Sequence, residues 1–531
     1  MSFISMDFAL FVLLALLLYY ICPKKWRWFV LLVASYAFYW YNGADNLIYI
    51  VITTVSSYAC AAFIENIATA GEAYIADNKE SLSKDEKKSY KAGIKKKQKI
   101  VLICGLVINF GILIWLKYAN FSIAYINFYR LKWFNKTDFI PFIRVLLPLG
   151  ISFYTFQTMG YLIDIYYGKY EREHNLLKYA LYVSFFPQIV QGPISRFGQL
   201  SRELYSERSF RFYNICSGFY RVAWGLFKKL VIADRLGGYV SSVMSQKEIY
   251  SGPYILLAIF FYSMQIYGDF SGGIDVAVGV AEMFGISLTE NFERPFFSKS
   301  ISQYWQRWHI TLGTWFKDYI FYPLSLNKTI IKMGKKVRQL GAPTLGKRIP
   351  IYVPMLFVWA LTGMWHGSES RYVVWGLMNY VFIVLGTELE GTSARIVNAL
   401  KLSESGFIMR AYRAGKTFWL MSFLRLFDIN KDTGEAFRAF RLLFTGWRSF
   451  DINKVYENLS LPVEDFVVAL VAIGVLFIFE LIQRKGSVRK RIFGLPTVCR
   501  WTILSVLVAA VAVFGYYGPG YDAASFIYGN F

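Results

Sequence analysis

Histidine is almost missing from this chain, with three residues, His174, His309 and His366, in 531 positions. Charge is scarce as well, at 18% of residues, against roughly a quarter in soluble domains. Set beside 56% hydrophobic and 19% aromatic residues, that shortage excludes an ordinary soluble enzyme and implies an all-α polytopic membrane protein. Cysteine contributes only Cys22, Cys60, Cys104, Cys216 and Cys499, with no CxxC pair and most of them inside apolar runs, so neither disulfides nor a metal are expected. Acidic residues are the minority, 35 against 58 basic, for a net charge of +23. The basic residues cluster between apolar runs, as cytoplasmic loops do under the positive-inside rule, so no nucleic-acid partner is expected.

Familiar catalytic signatures are also lacking. The sequence holds no GxSxG elbow, no GxxxxGK[ST] loop and no HExxH, and none of its histidines is followed five positions later by the aspartate that soluble-facing glycerolipid acyltransferases require. A covalent serine mechanism and a zinc peptidase therefore have no residues to rest on.

What is present is a series of apolar runs. Crossings are expected near 7–22, 27–42, 46–66, 100–117, 213–233, 254–285, 351–366, 372–385, 463–482 and 499–517, within about eleven to thirteen membrane helices in all. The first is followed by Pro23-Lys24-Lys25 without a small-residue cleavage site, so it reads as a retained crossing and not a signal peptide. Lys79 to Lys99 and Lys328 to Arg348 read as basic cytoplasmic loops, Arg484 to Arg491 as a third basic turn, and counting back from them places the N-terminus outside. From Pro141 onward, Pro148, Gly150, Gly160, Pro187, Gly192 and Pro193 break the apolar pattern, with Asp164, Gln188 and Gln191 in or beside it. Broken helices at membrane depth are tolerated where protein or a water-filled cavity satisfies the freed backbone, so this region is expected to wrap something polar.

The stretch from Ser302 to Pro323 is the most concentrated. On a helix, Trp305, Trp308, His309, Leu312, Trp315, Phe316 and Tyr319 recur at three- and four-residue steps and form one aromatic face, with Gln306, Arg307, Lys317 and Asp318 on the rest. The spacing predicts an amphipathic helix at the membrane boundary, near the cytoplasmic side. His366, in Gly363-Met-Trp-His-Gly367, ends an apolar run that begins at Ile351 and carries it roughly 24 Å into a core about 30 Å thick. An ionisable side chain there is a functional candidate, and imidazole suits proton transfer near neutral pH. His309 fits either a functional or a packing role, and His174 belongs to a charged loop. Asp269 and Asp275 fit two readings, a functional site or hydrogen-bonding glue between helices.

Several motifs in fixed order then resemble the membrane-bound O-acyltransferase family. They are Phe153 to Asp164, Phe185 to Ile194, Tyr267 to Gly279, Asn291 to Phe296, Tyr304 to Ile310, Phe316 to Pro323 and Met364 to Gly367, covering about 140–450. Within the family the chain is similar to the branch of alginate O-acetylation proteins, cell-wall O-acetyltransferases and, more distantly, teichoic acid D-alanyl transferases. The apolar runs read as a single membrane domain over 1–531, with N-terminal crossings at 1–139 and C-terminal crossings at 451–531, and the resemblance implies a catalytic core at 140–450. It further implies helices around a central tunnel, a bacterial cell-membrane location and an acyl donor entering from the cytoplasm. The family's histidines fall on His366 as general base and on His309, while Trp305, Arg307, Trp308, Lys317, Trp365 and Asn379 would line the tunnel or bind the donor. Asn379 departs from the pattern, since many acetylation proteins carry histidine there. No bound cofactor is expected. The donor would be an acyl thioester, acetyl coenzyme A foremost and a carrier-protein thioester as the alternative. Expected partners are membrane lipid, an extracytoplasmic acetyltransferase or esterase-like protein and a polysaccharide acceptor. D-alanyl transfer and transport of a polar solute remain open readings of the same residues.

Overall fold

A computed structural model of the chain describes residues 1–143, 147–401 and 403–517; the end of the C-terminal segment, 518–531, lies outside them. The described residues are helical, with one isolated antiparallel bridge between Phe292 and Trp308. Two compact units divide them, residues 1–212 with 284–288 and residues 213–283 with 289 onward.

In the first unit, α1 (Met6–Ile21), α2 (Arg27–Tyr41), α3 (Leu47–Asp77), α4 (Lys84–Phe134) and α5 (Ile151–Tyr166) precede three short helices, α6 (Leu176–Ser184), α7 (Phe186–Ile189) and α8 (Phe197–Tyr205). The break between α6 and α7 comes just before Pro187, which cannot donate a helical hydrogen bond. In the second unit, α9 (Phe212–Leu226) passes through a π-helical segment, Phe227–Ala233, into α10 (Asp234–Ser245), and α11 (Pro253–Met283) packs along all three. There follow α12 (Ile301–Trp305), α13 (Ile310–Phe316), a second π segment at Lys317–Phe321, α14 (Tyr322–Ser325), α15 (Lys328–Gln339), α16 (Pro343–His366) and α17 (Ser370–Glu388). The remainder is α18 (Glu390–Ala399), α19 (Phe407–Leu424), α20 (Leu426–Ile429), α21 (Thr433–Leu442), α22 (Ile452–Asn458), α23 (Val463–Gln483), α24 (Val488–Phe493) and α25 (Thr497–Phe514).

Each apolar run identified as a crossing falls on a helix. Among the described residues five helices, α3, α4, α16, α23 and α25, are long and apolar enough to cross a membrane, and α17 with α18, bent by 49°, make a sixth if counted as one span. The chain is a multi-pass membrane protein.

Three local expectations are corrected. Lys79 to Lys99 is not a loop, because α4 begins at Lys84 and runs for 51 residues, about 77 Å at 1.5 Å per residue. Lysine and glutamate are good helix formers, and Ser83 starts the helix with a reciprocal cap. Its hydroxyl accepts from the Glu86 N–H at 3.3 Å, and its own N–H donates to the Glu86 carboxylate at 2.8 Å. Lys328 to Arg348 is likewise mostly helix, with α16 starting at Pro343, well before Ile351. Ser302 to Pro323 is not one helix. His309 sits at φ 49°, in the left-handed region, and separates α12 from α13. The Glu293 N–H donates to Arg307 O (2.9 Å) and the Ile310 N–H to Asn291 O (3.0 Å), so these backbone groups bond to a second segment instead of continuing a helix. The aromatic face survives the break, because Trp308, His309, Leu312, Trp315, Phe316 and Tyr319 are all buried.

The bond from the Ser83 N–H holds the Glu86 carboxyl below the usual glutamate range. The cap therefore contributes above the ordinary pKa of glutamate and is lost as acid protonates the native carboxylate. Replacing Ser83 by alanine should speed amide exchange in the first turn of α4 about fivefold while leaving 100–117 protected, as read by hydrogen exchange at neutral pH.

Candidate active site

The second unit brings His309 and His366 to one place. They are 3% and 7% exposed, and the indole of Trp365 touches both, at ring-centroid distances of 5.9 Å from His309 and 4.8 Å from His366. His366 closes the C-terminal end of α16, and its ring also lies 4.7 Å from Trp375 and stacks near Tyr372 at 6.4 Å.

Close approach of α16 and α17 makes this possible. A Cβ on Gly376 would lie 2.4 Å from the Trp359 carbonyl, and one on Gly363 2.4 Å from the Tyr372 carbonyl, so only glycine lets the two backbones meet. Trp305, from α12, completes the wall, 5.6 Å from Trp375 and 4.9 Å from Trp359. Its Nε1–H donates to Asn379 Oδ1 at 3.0 Å, and Asn379 Nδ2 donates to the Trp375 carbonyl at 2.9 Å. The asparagine at 379 is thus fully buried and orients the indole of Trp305.

His309 is held from the other side. Asn291 Oδ1 accepts from both the N–H (3.0 Å) and the hydroxyl (2.9 Å) of Thr311, while its amide faces His309 Nδ1 at 3.2 Å. Oδ1 lies 3.3 Å from the same Nδ1, but because it already accepts twice the Asn291 Nδ2–H is assigned as the donor, with the ring proton on Nε2. Phe270 packs edge-on against the same ring at 4.9 Å.

The other candidates are dispersed. Trp308 is a packing residue, stacked on Tyr304 (5.5 Å) with the Arg425 guanidinium 4.9 Å from its ring centroid. Arg307 is half-buried, and Lys317 is exposed with its ammonium 5.5 Å from the Tyr322 ring. Gln188 and Gln191 belong to the first unit. Gln188 bonds Gln157 and Ser195, whereas both amide atoms of the buried Gln191 have no hydrogen-bond partner among the described residues. Asp269 pairs with Lys229 at 2.6 Å, and Asp275 with Lys228 at 2.7 Å and Arg221 at 2.9 Å. These are buried ionic joints between α11 and the α9–π segment. Sequence reading left their cations out, although two adjacent lysines inside the apolar run at 213–233 were a visible signal. Asn291, Tyr372 and Trp375 were also missed as site residues, since contacts between separate segments leave no periodic trace.

Comparison with known proteins bears on the same residues. A model of the membrane-bound O-acyltransferase family matches residues 118–335, which include Asn291, Trp305 and His309 and stop short of His366. The "Probable alginate O-acetylase AlgI" of Pseudomonas aeruginosa is 31% identical over 395 residues, 74% of this chain and 67% of that one. The "Peptidoglycan O-acetyltransferase" of Helicobacter pylori is 30% identical over 308 residues, 53% of this chain and 54% of its own length. The "Teichoic acid D-alanyltransferase" of Bacillus subtilis is 29% identical over 239 residues, 44% of this chain and 58% of that protein.

Two stability measurements check this arrangement. Lys229→Met leaves Asp269 without its 2.6 Å ion-pair partner and should cost about 3–5 kcal/mol, seen as a large fall in the detergent-solubilised unfolding midpoint. Asn379→Leu removes the acceptor of the Trp305 indole and should cost about 1–3 kcal/mol, whereas Asn379→Asp, which keeps an acceptor oxygen, should retain the Trp305 fluorescence environment.

Proposed function

The chain belongs to the membrane-bound O-acyltransferase family and is an O-acyltransferase, and from that premise we propose that it passes an acetyl group from a cytoplasmic thioester toward an extracytoplasmic polysaccharide or partner-protein hydroxyl. The observation that carries the reading is the enclosure around Trp365, where histidines 57 positions apart reach one indole inside an aromatic wall. Acetyl coenzyme A is the proposed donor, reaching the site through a tunnel lined in part by Trp305 and Trp375. The bacterial cytoplasmic membrane is the proposed location, with the N-terminus outside.

In the proposed reaction the acceptor hydroxyl attacks the thioester carbonyl while His366 takes its proton. The tetrahedral intermediate then collapses, the C–S bond breaks, and the imidazolium returns the proton to the departing thiolate, so the histidine ends as it began. The end of a helix suits the charged intermediate form of His366, because the backbone carbonyls there favour a cation. His309, fixed through Nδ1 by Asn291, directs Nε2–H toward a position suited to the carbonyl oxygen as negative charge develops. The aromatic walls exclude water, which would otherwise hydrolyse the thioester. An acetyltransferase or esterase-like partner outside the membrane is proposed to carry the group onward, as the names of the alginate and peptidoglycan relatives fit a polysaccharide acceptor.

The D-alanyltransferase relative supports a second reading, in which the thioester sits on a carrier protein. Transport of a polar solute has less support, since the carboxylates it needs, Asp269 and Asp275, are engaged by buried cations.

Thiol release by purified protein with a glycan acceptor tests the proposal. Acetyl coenzyme A should support turnover and a D-alanyl carrier thioester should not, and His366→Ala should lower the rate about 10²- to 10⁴-fold with thermal stability close to the parent. Wild-type turnover in His366→Ala removes the base assignment.

A further inference from the structure

Between α9, α11, α23 and α25 lies a cavity of ≈ 670 Å³ that neither histidine lines. One wall is apolar. Trp224 stacks on Phe479 at 4.2 Å and on Phe227 at 5.3 Å, and Val506, Leu507 and Ala510 of α25 face them across the space. On α25 Leu504 is buried and Ile503 and Leu507 are partly buried against Tyr220 and Ala223, while most of the helix is exposed among the described residues and in a membrane meets lipid. Gln483, at the end of α23, and Ser487 and Arg489, in the basic stretch between α23 and α25, also line it, and the lining from Val475 to Gln483 runs about 12 Å along α23.

The opposite wall is charged, and most of its charges are engaged. Arg221 pairs with Asp275 and Glu290, Lys228 with Asp275, Arg489 with Glu282, and Tyr267 donates to Glu480. Arg294 differs. It lines the cavity, its guanidinium lies 5.4 Å from the Phe297 ring centroid, it makes no ion pair among the described residues, and its Nε is buried without a hydrogen-bond partner. Its backbone is held at φ 50°, a left-handed conformation unusual for arginine. The positive charges of Arg307 and Arg484 act on it as well, and of the two carboxylates that act on it, Glu480 already accepts from Tyr267 and Glu293 is exposed. An apolar slot within the membrane, lined also by a guanidinium that has no ion-pair partner among the described residues and lies in the field of two further arginines, matches a molecule with a phosphate at one end and a hydrocarbon chain at the other.

We propose that this cavity is a binding site for an anionic phospholipid of the inner leaflet, its phosphate against Arg294 and one acyl chain along Trp224, Phe479 and Leu507. The site is separate from the Trp365 enclosure and does not depend on the acetyl-transfer reading. Any acyl chain could fill the slot, so headgroup charge is what distinguishes a built site from general solvation by lipid.

The test is retention of lipid by the full-length protein in detergent after delipidation and add-back of phosphatidylglycerol or phosphatidylcholine, read by native mass spectrometry. The parent should retain phosphatidylglycerol in preference to phosphatidylcholine. Arg294→Gln should weaken phosphatidylglycerol about fivefold and leave phosphatidylcholine unchanged. Ala510→Trp, which fills the slot, should reduce both, with size-exclusion elution and helical circular dichroism as in the parent. Equal retention of the two lipids, or parent-like phosphatidylglycerol binding by Arg294→Gln, overturns the proposal. Displacement of phosphatidylglycerol by coenzyme A overturns it too, and reassigns the phosphate site to a soluble thioester donor.

Discussion

In hydrocarbon, a charged or hydrogen-bonding group finds its partner inside the protein or carries a large penalty. Most of the second unit can be understood from that constraint. Lys228 and Lys229 sit in a π-helical segment where each reaches an aspartate of α11. The buried Asn291 serves Thr311 and His309 together, and Asn379 satisfies the indole of Trp305. Polar side chains that looked like candidates for chemistry are, in several cases, the fastenings that hold helices, His309 and the Trp305 indole in position.

The same constraint explains the broken stretch around His309. A continuous helix would have presented its histidine as one of several residues on an aromatic face. The break instead pairs Arg307 and Ile310 with the Asn291–Glu293 segment and places the imidazole against Asn291 and Trp365. Rigidity follows from this arrangement, because the ring's Nδ1 and the backbone on either side of His309, at Arg307 and Ile310, are anchored to the same neighbouring segment. The indoles of Trp305, Trp359 and Trp375 interlock in the same way and form a wall that does not readily rearrange.

Fold class was legible from composition alone, and the apolar runs located the helices. His309 and His366 could be singled out because histidine is so rare, and the resemblance of the surrounding motifs linked them. Their meeting at Trp365 was not legible, since it is a contact between the turn at His309 and the end of α16, segments far apart in sequence with no shared period. The left-handed turn at His309 was hidden for a related reason: its residues are buried whether or not the helix is continuous. Asp269 and Asp275 stayed ambiguous until their cations were placed, because pairing across helices is a tertiary property. The basic segment at 79–99 was misread as a loop because charge was taken to mean irregular structure, whereas Ser83 and Glu86 carried a plain helix-start signal.

The central claim is that the two histidines work in one site. Initial rates of acyl transfer from a radiolabelled thioester, measured for His309→Ala, His366→Ala and the double variant at equal folded protein, test it most directly. Groups acting together on one transition state give strongly non-additive losses, so the double variant should be about as slow as the slower single variant. Losses that multiply, each histidine costing the same factor whether or not the other is present, would contradict a shared site around Trp365.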